Sequence, residues 1–178
     1  MKYAVILAAG KGSRMKSSIN KVMHKVGDRP IIGHLVEKLE SIGVQEIDVV
    51  VGYQQEQIRD YLQDRVEYSV QEDPIGTADA LKKVTSLKDK KGKTIILVGD
   101  APLVQKDTME SLFEASQESD LVILTAQLTN PLHYGRVIRD NTGEVKGIVE
   151  FRDANDEQKN IKEIFTGVMV IDNELLFK

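Results

Sequence analysis

The sequence contains no cysteine and no tryptophan, and only 5% of its residues are aromatic. The absence of cysteine excludes a disulfide framework, a thiolate zinc site and a cysteine nucleophile. No apolar run approaches the roughly 20 residues that a membrane-spanning helix needs. The chain also lacks a basic excess, since 24 lysines and arginines stand against 28 aspartates and glutamates. We therefore expect a cytoplasmic protein that binds neither a membrane nor nucleic acid as its general partner.

The chain has the composition of an ordinary globular domain, with 178 residues of which 41% are hydrophobic and 29% charged. A chain of this length buries roughly 70% of its unfolded surface, which is enough for one core. The apolar run at residues 3–8 is followed at once by glycines and charges. This pattern favours a buried first strand over the core of a signal peptide.

Strand-like and helix-like segments alternate along most of the chain. Strand-like runs predict strands at 3–8, 47–51, 66–70, 94–98, 121–126 and 166–171. Those at 3–8, 47–51 and 94–98 are expected to be buried, as in a sheet that is covered on both faces. Apolar repeats at spacings of three and four predict helices at 31–42, 54–62, 78–84 and 108–116. We expect Asp107 to cap the last of these helices and Asn173 to begin another.

Two alternating runs, 135–139 and 145–150, surround the turn signal Asn141-Thr142-Gly143 and predict a hairpin. The predicted fold class is therefore α/β. We expect a Rossmann-like, mixed and mostly parallel sheet, with helices on both faces and a small antiparallel insertion.

Ligands of such sheets bind beyond the carboxyl ends of the strands. Glycine-marked strand exits at 10–14, 52–55, 71–77 and 99–103 should therefore meet at one edge. That edge is the predicted binding site.

The first strand exit carries the clearest chemistry. Gly10 and Gly12 allow close approach of the backbone to a ligand, and successive N–H groups there can form an anion-binding nest. Lys11 and Arg14 add positive charge. The exit predicts a polyphosphate cradle, and the alternative is a tight turn with solvated cations. It is not the dinucleotide fingerprint, because Met15 replaces the third glycine, and it is not a P-loop.

Several motifs in register resemble one known family, the sugar-nucleotide pyrophosphorylases. The resemblance is strongest to the bacterial N-acetylglucosamine-1-phosphate uridyltransferases, and it covers essentially the whole chain. The motifs are LAAGKGSRMKS, NKVMHKVGDRPII, VVVGYQQEQIRDYL, VQEDPIGTADAL, LVGDAPLVQKDTMESL, NPLHYGRVIRD, GIVEFRDANDEQKNIKEI and TGVMVIDNELLFK.

The resemblance implies a nucleotide-diphospho-sugar transferase fold and a reaction between UTP and N-acetylglucosamine-1-phosphate, with Mg²⁺ as cofactor. The product would be UDP-N-acetylglucosamine, a precursor of cell-wall peptidoglycan. In these relatives the domain is the first half of a bifunctional chain. The resemblance implies that residues 1–178 form this domain without its C-terminal end, without a second metal ligand and without the trimerising acetyltransferase half. We therefore expect weak nucleotide binding and slow or absent turnover, and leave the oligomeric state open.

The resemblance also implies roles for individual residues. Arg14 and Lys21 would be the catalytic cations, and Asp100 would bind the metal. Nucleotide contacts would come from Leu7, Ala8, Ala9, Gly10, Gly12, Gln71, Gly76 and Thr77. Sugar contacts would come from Gly135, Glu150 and Thr166. Plainer interpretations stay open, such as a solvated lysine, a turn aspartate, and Thr77 as a helix cap.

Three residues depart from the family pattern. Asp79 stands where relatives often have histidine, and Val98 stands where some have tyrosine. Phe165 replaces the asparagine of an E-I-N-T-G motif and cannot make that residue's hydrogen bonds. These departures leave open a different sugar-1-phosphate or base, or a non-catalytic nucleotide-binding module. A nicotinamide dehydrogenase is disfavoured, because no acidic residue is convincingly placed after the first strand exit.

Overall fold

The computed structural model of the chain describes residues 1–12, 15–73 and 75–178. These residues form two compact units. The first unit comprises Met1–Val122 and Met169–Lys178, and the second comprises Ile123–Val168.

Strands and helices alternate as the sequence pattern predicts. The strands are β1 (Lys2–Leu7), β2 (Lys25–Val26), β3 (Arg29–Pro30), β4 (Glu46–Val51), β5 (Glu67–Val70), β6 (Lys93–Val98), β7 (Leu121–Gln127), β8 (Arg136–Arg139), β9 (Val145–Val149) and β10 (Glu163–Asp172). The α-helices are α1 (Ile31–Ser41), α2 (Gln55–Leu62), α3 (Thr77–Lys82), α4 (Lys106–Ala115), α5 (Asp156–Lys159) and α6 (Asn173–Leu176). Short 3₁₀ helices cover Lys21–Met23 and Gln63–Arg65.

The first unit is built on a mostly parallel sheet in the order β5-β4-β1-β6. The C-terminal half of β10 adds an antiparallel strand next to β6, with Met169 opposite Ile96. A separate antiparallel pair joins β2 to β3. The predicted mixed, mostly parallel sheet is therefore confirmed.

Both faces of the first unit's sheet are covered by helices. The consecutive β1 residues 3–6 are all buried, and successive strand residues point to opposite faces. On one face, Tyr3 and Val5 pack with Ala80 of α3. On the other face, the ammonium of Lys2 lies 5.2 Å from the ring centre of Phe113 in α4. The predicted covering of both faces is confirmed. Among the described helices, none combines the length and apolar composition of a membrane span.

The second unit contains the predicted hairpin. Strands β8 and β9 pair antiparallel, with Val137 opposite Ile148. At the turn, Asp140 accepts hydrogen bonds from the Thr142 backbone N–H at 2.9 Å and the Glu144 backbone N–H at 3.1 Å. The N-terminal half of β10 pairs antiparallel with β8.

Some local predictions are wrong or incomplete. Asp107 is not the cap of α4, because the helix begins at Lys106, two residues before the predicted start, and Asp107 lies in its first turn. Thr77 is the first residue of α3 and Gly76 is its cap. The four-residue helix α5 was not predicted, although its capping box, Asn155 with Gln158, was visible in the sequence.

Asp48 is a buried carboxylate on the face of β4 that points toward Ser69 and Ser86. Its Oδ2 accepts hydrogen bonds from Ser69 Oγ at 2.9 Å and Ser86 Oγ at 2.7 Å. Within the described part of the chain, no partner is found for Oδ1. Burial raises the pKa of Asp48 above its ordinary value of 3.8, although the serine hydrogen bonds act in the opposite direction. The group therefore supports folding most at low pH, and that support is lost as pH rises through the raised pKa.

We predict that Asp48→Asn makes stability less sensitive to pH. The unfolding free energy of the variant relative to the wild type should rise between about pH 4 and pH 7, on the order of 1 kcal/mol for each unit by which the pKa is raised. Urea unfolding at several pH values measures this difference. Asp60→Asn, the same change at an exposed site on α2, is the control. A difference that does not grow with pH contradicts the prediction.

Candidate functional site

The carboxyl ends of β1, β4, β5 and β6 meet at one edge of the first unit's sheet. Backbone hydrogen bonds join the segments that follow these strands. Ala8 donates to the Val50 carbonyl at 2.8 Å, Gln71 to the Val51 carbonyl at 2.8 Å, and Gly99 to the Leu7 carbonyl at 2.9 Å. The strand exits that the sequence singled out are therefore neighbours.

Gly99 is required by this close approach. A Cβ atom at this position would lie 2.8 Å from the Leu7 carbonyl oxygen and 3.0 Å from Val22 Cγ1. Any side chain would push the exits of β1 and β6 apart. Glycine here lets the segments that carry the candidate residues pack against each other.

The first strand exit is open at Gly10 and turns at Gly12. Leu7 is half-buried, and Ala8 and Ala9 are buried. Gly10 faces open space, because a Cβ built on it meets nothing within 4 Å. Gly12 has a φ of +57°, a left-handed conformation that L side chains rarely adopt. Ser13 and Arg14 lie outside the described residues, so the catalytic role of Arg14 stays a prediction.

Lys21 and Asp100 form an ion pair at the same edge. The Lys21 Nζ contacts the Asp100 Oδ2, and the two side chains are 34% and 40% exposed. An ion pair so open to water contributes little to stability. Its two charges therefore remain accessible to a ligand. They line a cavity of about 160 Å³ with Leu7, Ala8, Gly10, Val22 and Val98.

Asn20 fixes the segment that carries Lys21. Its Oδ1 accepts from the Val22 backbone N–H at 3.1 Å, and its Nδ2 donates to the Tyr53 carbonyl at 2.7 Å. Its own backbone N–H donates to Gln57 Oε1 at 2.9 Å. Asn20 is 2% exposed. Asn20 is not among the predicted site residues, although an asparagine before a short helix is a known capping signal.

Gln71 follows β5 and is 3% exposed. Its Nε2 donates to the Gly76 carbonyl oxygen at 3.1 Å and to Asp79 Oδ2 at 2.8 Å. The structure thus brings Gln71 next to Gly76, with the exposed Thr77 immediately after it. In the sequence, Asp79 is only a departure from the family pattern, and the fold shows that it is a partner of Gln71.

A second cavity, of about 240 Å³, lies between the first strand exit and the end of β5. Its lining comes from three strand exits. The residues are Ala9, Lys11, Gly52, Tyr53, Gln55, Val70 and Glu72. A ligand held by the first exit therefore has room to extend toward the segment that contains Gln71.

The three predicted sugar-contacting residues belong to the second unit. A Cβ built on Gly135 would lie 3.8 Å from Glu150 Oε1, so these two residues are neighbours. Glu150 is exposed. The hydroxyl of Thr166 donates to the Leu124 carbonyl at 2.8 Å, which commits its hydrogen to the backbone. Phe165 donates its backbone N–H to the Gly135 carbonyl at 3.0 Å.

Arg136, next to Gly135, has a structural role in the second unit. It is 2% exposed. Its guanidinium donates to the Leu132 carbonyl at 3.0 Å and lies 5.3 Å from the ring centre of Phe151. It is therefore committed to packing and to backbone carbonyls.

Asp100 is the candidate metal ligand. Across residues 1–12, 15–73 and 75–178, no group of three or more histidine, aspartate or glutamate side chains could hold a metal ion. Magnesium, however, is commonly bound through one or two carboxylates, with phosphates and water as the other ligands. The exposed carboxylate of Asp100, which already pairs with the Lys21 ammonium, fits such a site.

Comparison with known proteins gives consistent matches. Residues 4–160 match the model of the MobA-like NTP transferase domain family. The chain is 41% identical over 180 residues to a Bifunctional protein GlmU of Staphylococcus carnosus, in an alignment that covers 99% of this chain and 40% of that protein. It is 46% identical over 172 residues to a Bifunctional protein GlmU of Symbiobacterium thermophilum, covering 94% of this chain and 36% of that protein. The chain thus spans about 40% or less of the length of these relatives.

Solved structures agree with the family match. The crystal structure of HddC from Yersinia pseudotuberculosis is similar, with a TM-score of 0.75 and 26% identity. The similarity covers 99% of this chain and 79% of that one. The family resemblance drawn from the motifs is confirmed, as is the fold class predicted from the alternation of strands and helices. The chain belongs to the MobA-like NTP transferase domain family and is a nucleotidyltransferase domain.

Proposed function

We propose that this domain transfers the uridylyl group of UTP to N-acetylglucosamine-1-phosphate. A phosphate oxygen of the sugar phosphate would bond to the α-phosphorus of UTP. The bond between that phosphorus and the oxygen bridging to the β-phosphate would break, releasing pyrophosphate. The proposal is supported above all by the Lys21–Asp100 ion pair at the two-glycine strand exit, together with the motif resemblance.

The chemistry requires positioning more than proton transfer. The attacking phosphate is already an anion, so the reaction needs no strong general base. The barrier comes from bringing two polyanions together, and fixed donors and cations lower it. The backbone of Gly10 and Gly12, the ammonium of Lys21 and the exposed Lys11 supply such groups.

Asp100 would hold Mg²⁺ through its carboxylate, as one of several oxygen ligands. When bound, the ion would neutralise phosphate charge. Lys21 would then direct its ammonium toward the phosphates. In the pair as it stands, each of the two side chains neutralises the other.

We predict that Asp100→Asn removes most of the dependence of UTP binding on magnesium. The amide cannot offer the ion an anionic ligand, so the affinity gained by adding Mg²⁺ should fall at least about tenfold. Calorimetric titration with UTP, in magnesium and in a chelator, measures this gain. Asp107→Asn, an exposed carboxylate on α4, is the matched control. An unchanged magnesium effect in Asp100→Asn would count against the proposed site.

We predict that Lys21→Met weakens UTP binding by about tenfold or more, because a charge-assisted contact to phosphate is lost. The unfolding free energy should change by less than about 1 kcal/mol, because the ion pair is open to water. Binding titration and urea unfolding test the two parts separately. Lys88→Met, at an exposed lysine after α3, is the control. Loss of stability without loss of affinity would make Lys21 a structural residue.

The reaction itself is tested by pyrophosphate release with UTP, Mg²⁺ and N-acetylglucosamine-1-phosphate. Release that depends on all three supports the proposal. Another sugar phosphate is the second candidate acceptor, because Phe165 offers no polar side chain where the family motif has an asparagine, and the Thr166 hydroxyl hydrogen is donated to the Leu124 carbonyl. A panel of sugar-1-phosphates with UTP distinguishes the acceptors. UTP binding without release from any of them favours a nucleotide-binding module.

A further inference from the structure

Asp79 and the Gly76 carbonyl determine which way the Gln71 amide points. Their oxygens lie 2.8 Å and 3.1 Å from the same atom of Gln71. A carboxylate and a carbonyl can only accept hydrogen bonds. The atom that faces both must therefore be the amide nitrogen, because the opposite orientation would place oxygen against oxygen.

This arrangement engages both hydrogens of Gln71 Nε2. An amide nitrogen has two hydrogens, and each has its own acceptor here. The oxygen Oε1 is then the atom of this side chain that can pair with a ligand. Gln71 is thereby fixed as an acceptor, whereas a freely turning amide could present either a donor or an acceptor.

Of the two acceptors of Gln71 Nε2, the Asp79 carboxylate is the charged one and the one held more firmly by the fold. The Gly76 carbonyl also accepts the Ala80 backbone N–H at 3.1 Å, and Gly76 lies in an exposed segment. Asp79 lies on α3 directly before Ala80, which is packed in the core of the first unit. A carboxylate forms a stronger hydrogen bond than a neutral carbonyl.

We propose that Asp79 is a positioning residue for base selection, which it achieves by holding the Gln71 amide with its oxygen toward the base. This inference rests on the proposed function, in which Gln71 contacts the base of UTP. Uracil carries a hydrogen on N3 and can donate it to Oε1. Cytosine has an unprotonated N3 that can only accept, so it meets Gln71 with two acceptors opposed. Asp79 therefore favours UTP over CTP without contacting either.

The test compares the affinities of UTP and CTP in the presence of Mg²⁺. Asp79→Asn keeps the size of the side chain but adds an NH₂ group that can donate to Gln71 Oε1, so the amide is free to turn. The ratio of UTP to CTP affinity should fall about tenfold. Asp79→Leu should lower it similarly. Asp64→Asn, which removes an exposed carboxylate from the 3₁₀ helix Gln63–Arg65, should leave the ratio unchanged.

A double variant shows whether Asp79 acts through Gln71. In a Gln71→Leu background, Asp79→Asn should not change the ratio further, because the group that it positions is gone. If Asp79→Leu does not fold, the isosteric Asp79→Asn still decides the outcome. Side-chain amide NMR provides a second readout, since the Gln71 NH₂ signals should lose their protection from exchange in Asp79→Asn.

Each outcome separates the inference from the proposed function. A wild-type preference for UTP that survives Asp79→Asn overturns the inference and leaves the proposed function standing. An equal loss of UTP and CTP affinity also overturns it, since that pattern indicates general loosening of the site. A wild-type chain that binds no UTP overturns the proposed function and, with it, this inference.

Discussion

The site depends on the parallel pairing of β1 with its neighbours β4 and β6. Leu7 lies opposite Val50 on one side and Val98 on the other, so all three strands end at the same level. The Leu7 carbonyl accepts the Gly99 N–H, and no side chain fits at Gly99. The distance between the first strand exit and the end of β6 is thus set by the sheet. Loops attached to such a frame can carry charges in fixed positions without a buried ionic network.

That frame explains how an exposed ion pair can serve a ligand site. Lys21 and Asp100 both remain partly solvated, so neither has lost much hydration by pairing. Replacing the pair with ammonium against phosphate and carboxylate against a cation therefore adds little desolvation cost. A deeply buried pair would resist the same exchange, because each separated charge would be left uncompensated in a medium of low polarity.

The sheet is predictable from the sequence because the burial of its strands leaves a local pattern of apolar residues. Consecutive apolar residues in β1, β4 and β6 are detectable without knowledge of their partners. The residues that hold the site in place are harder to predict from the sequence. Asn20 bonds to residues more than 30 positions away, at Tyr53 and Gln57, and no local pattern encodes such a contact. The predicted helix ends were less accurate for a related reason. An aspartate such as Asp107 is favourable both as an N-cap and in the first turn of a helix, and only the folded backbone decides between the two positions.

Two buried polar side chains of the first unit show how a structural group differs from a group suited to bind a ligand. Asp48 directs one oxygen to two serines, and burial raises its pKa, so its environment opposes the charged form. The charged form of such a group lowers the stability of the core. Gln71 is neutral, so burying it carries no ionisation penalty, and two acceptors fix its orientation. A buried amide with one end committed to the protein has only the other end to offer. Its hydrogen-bonding character is therefore decided by the fold before a ligand arrives, which is the property that base selection requires.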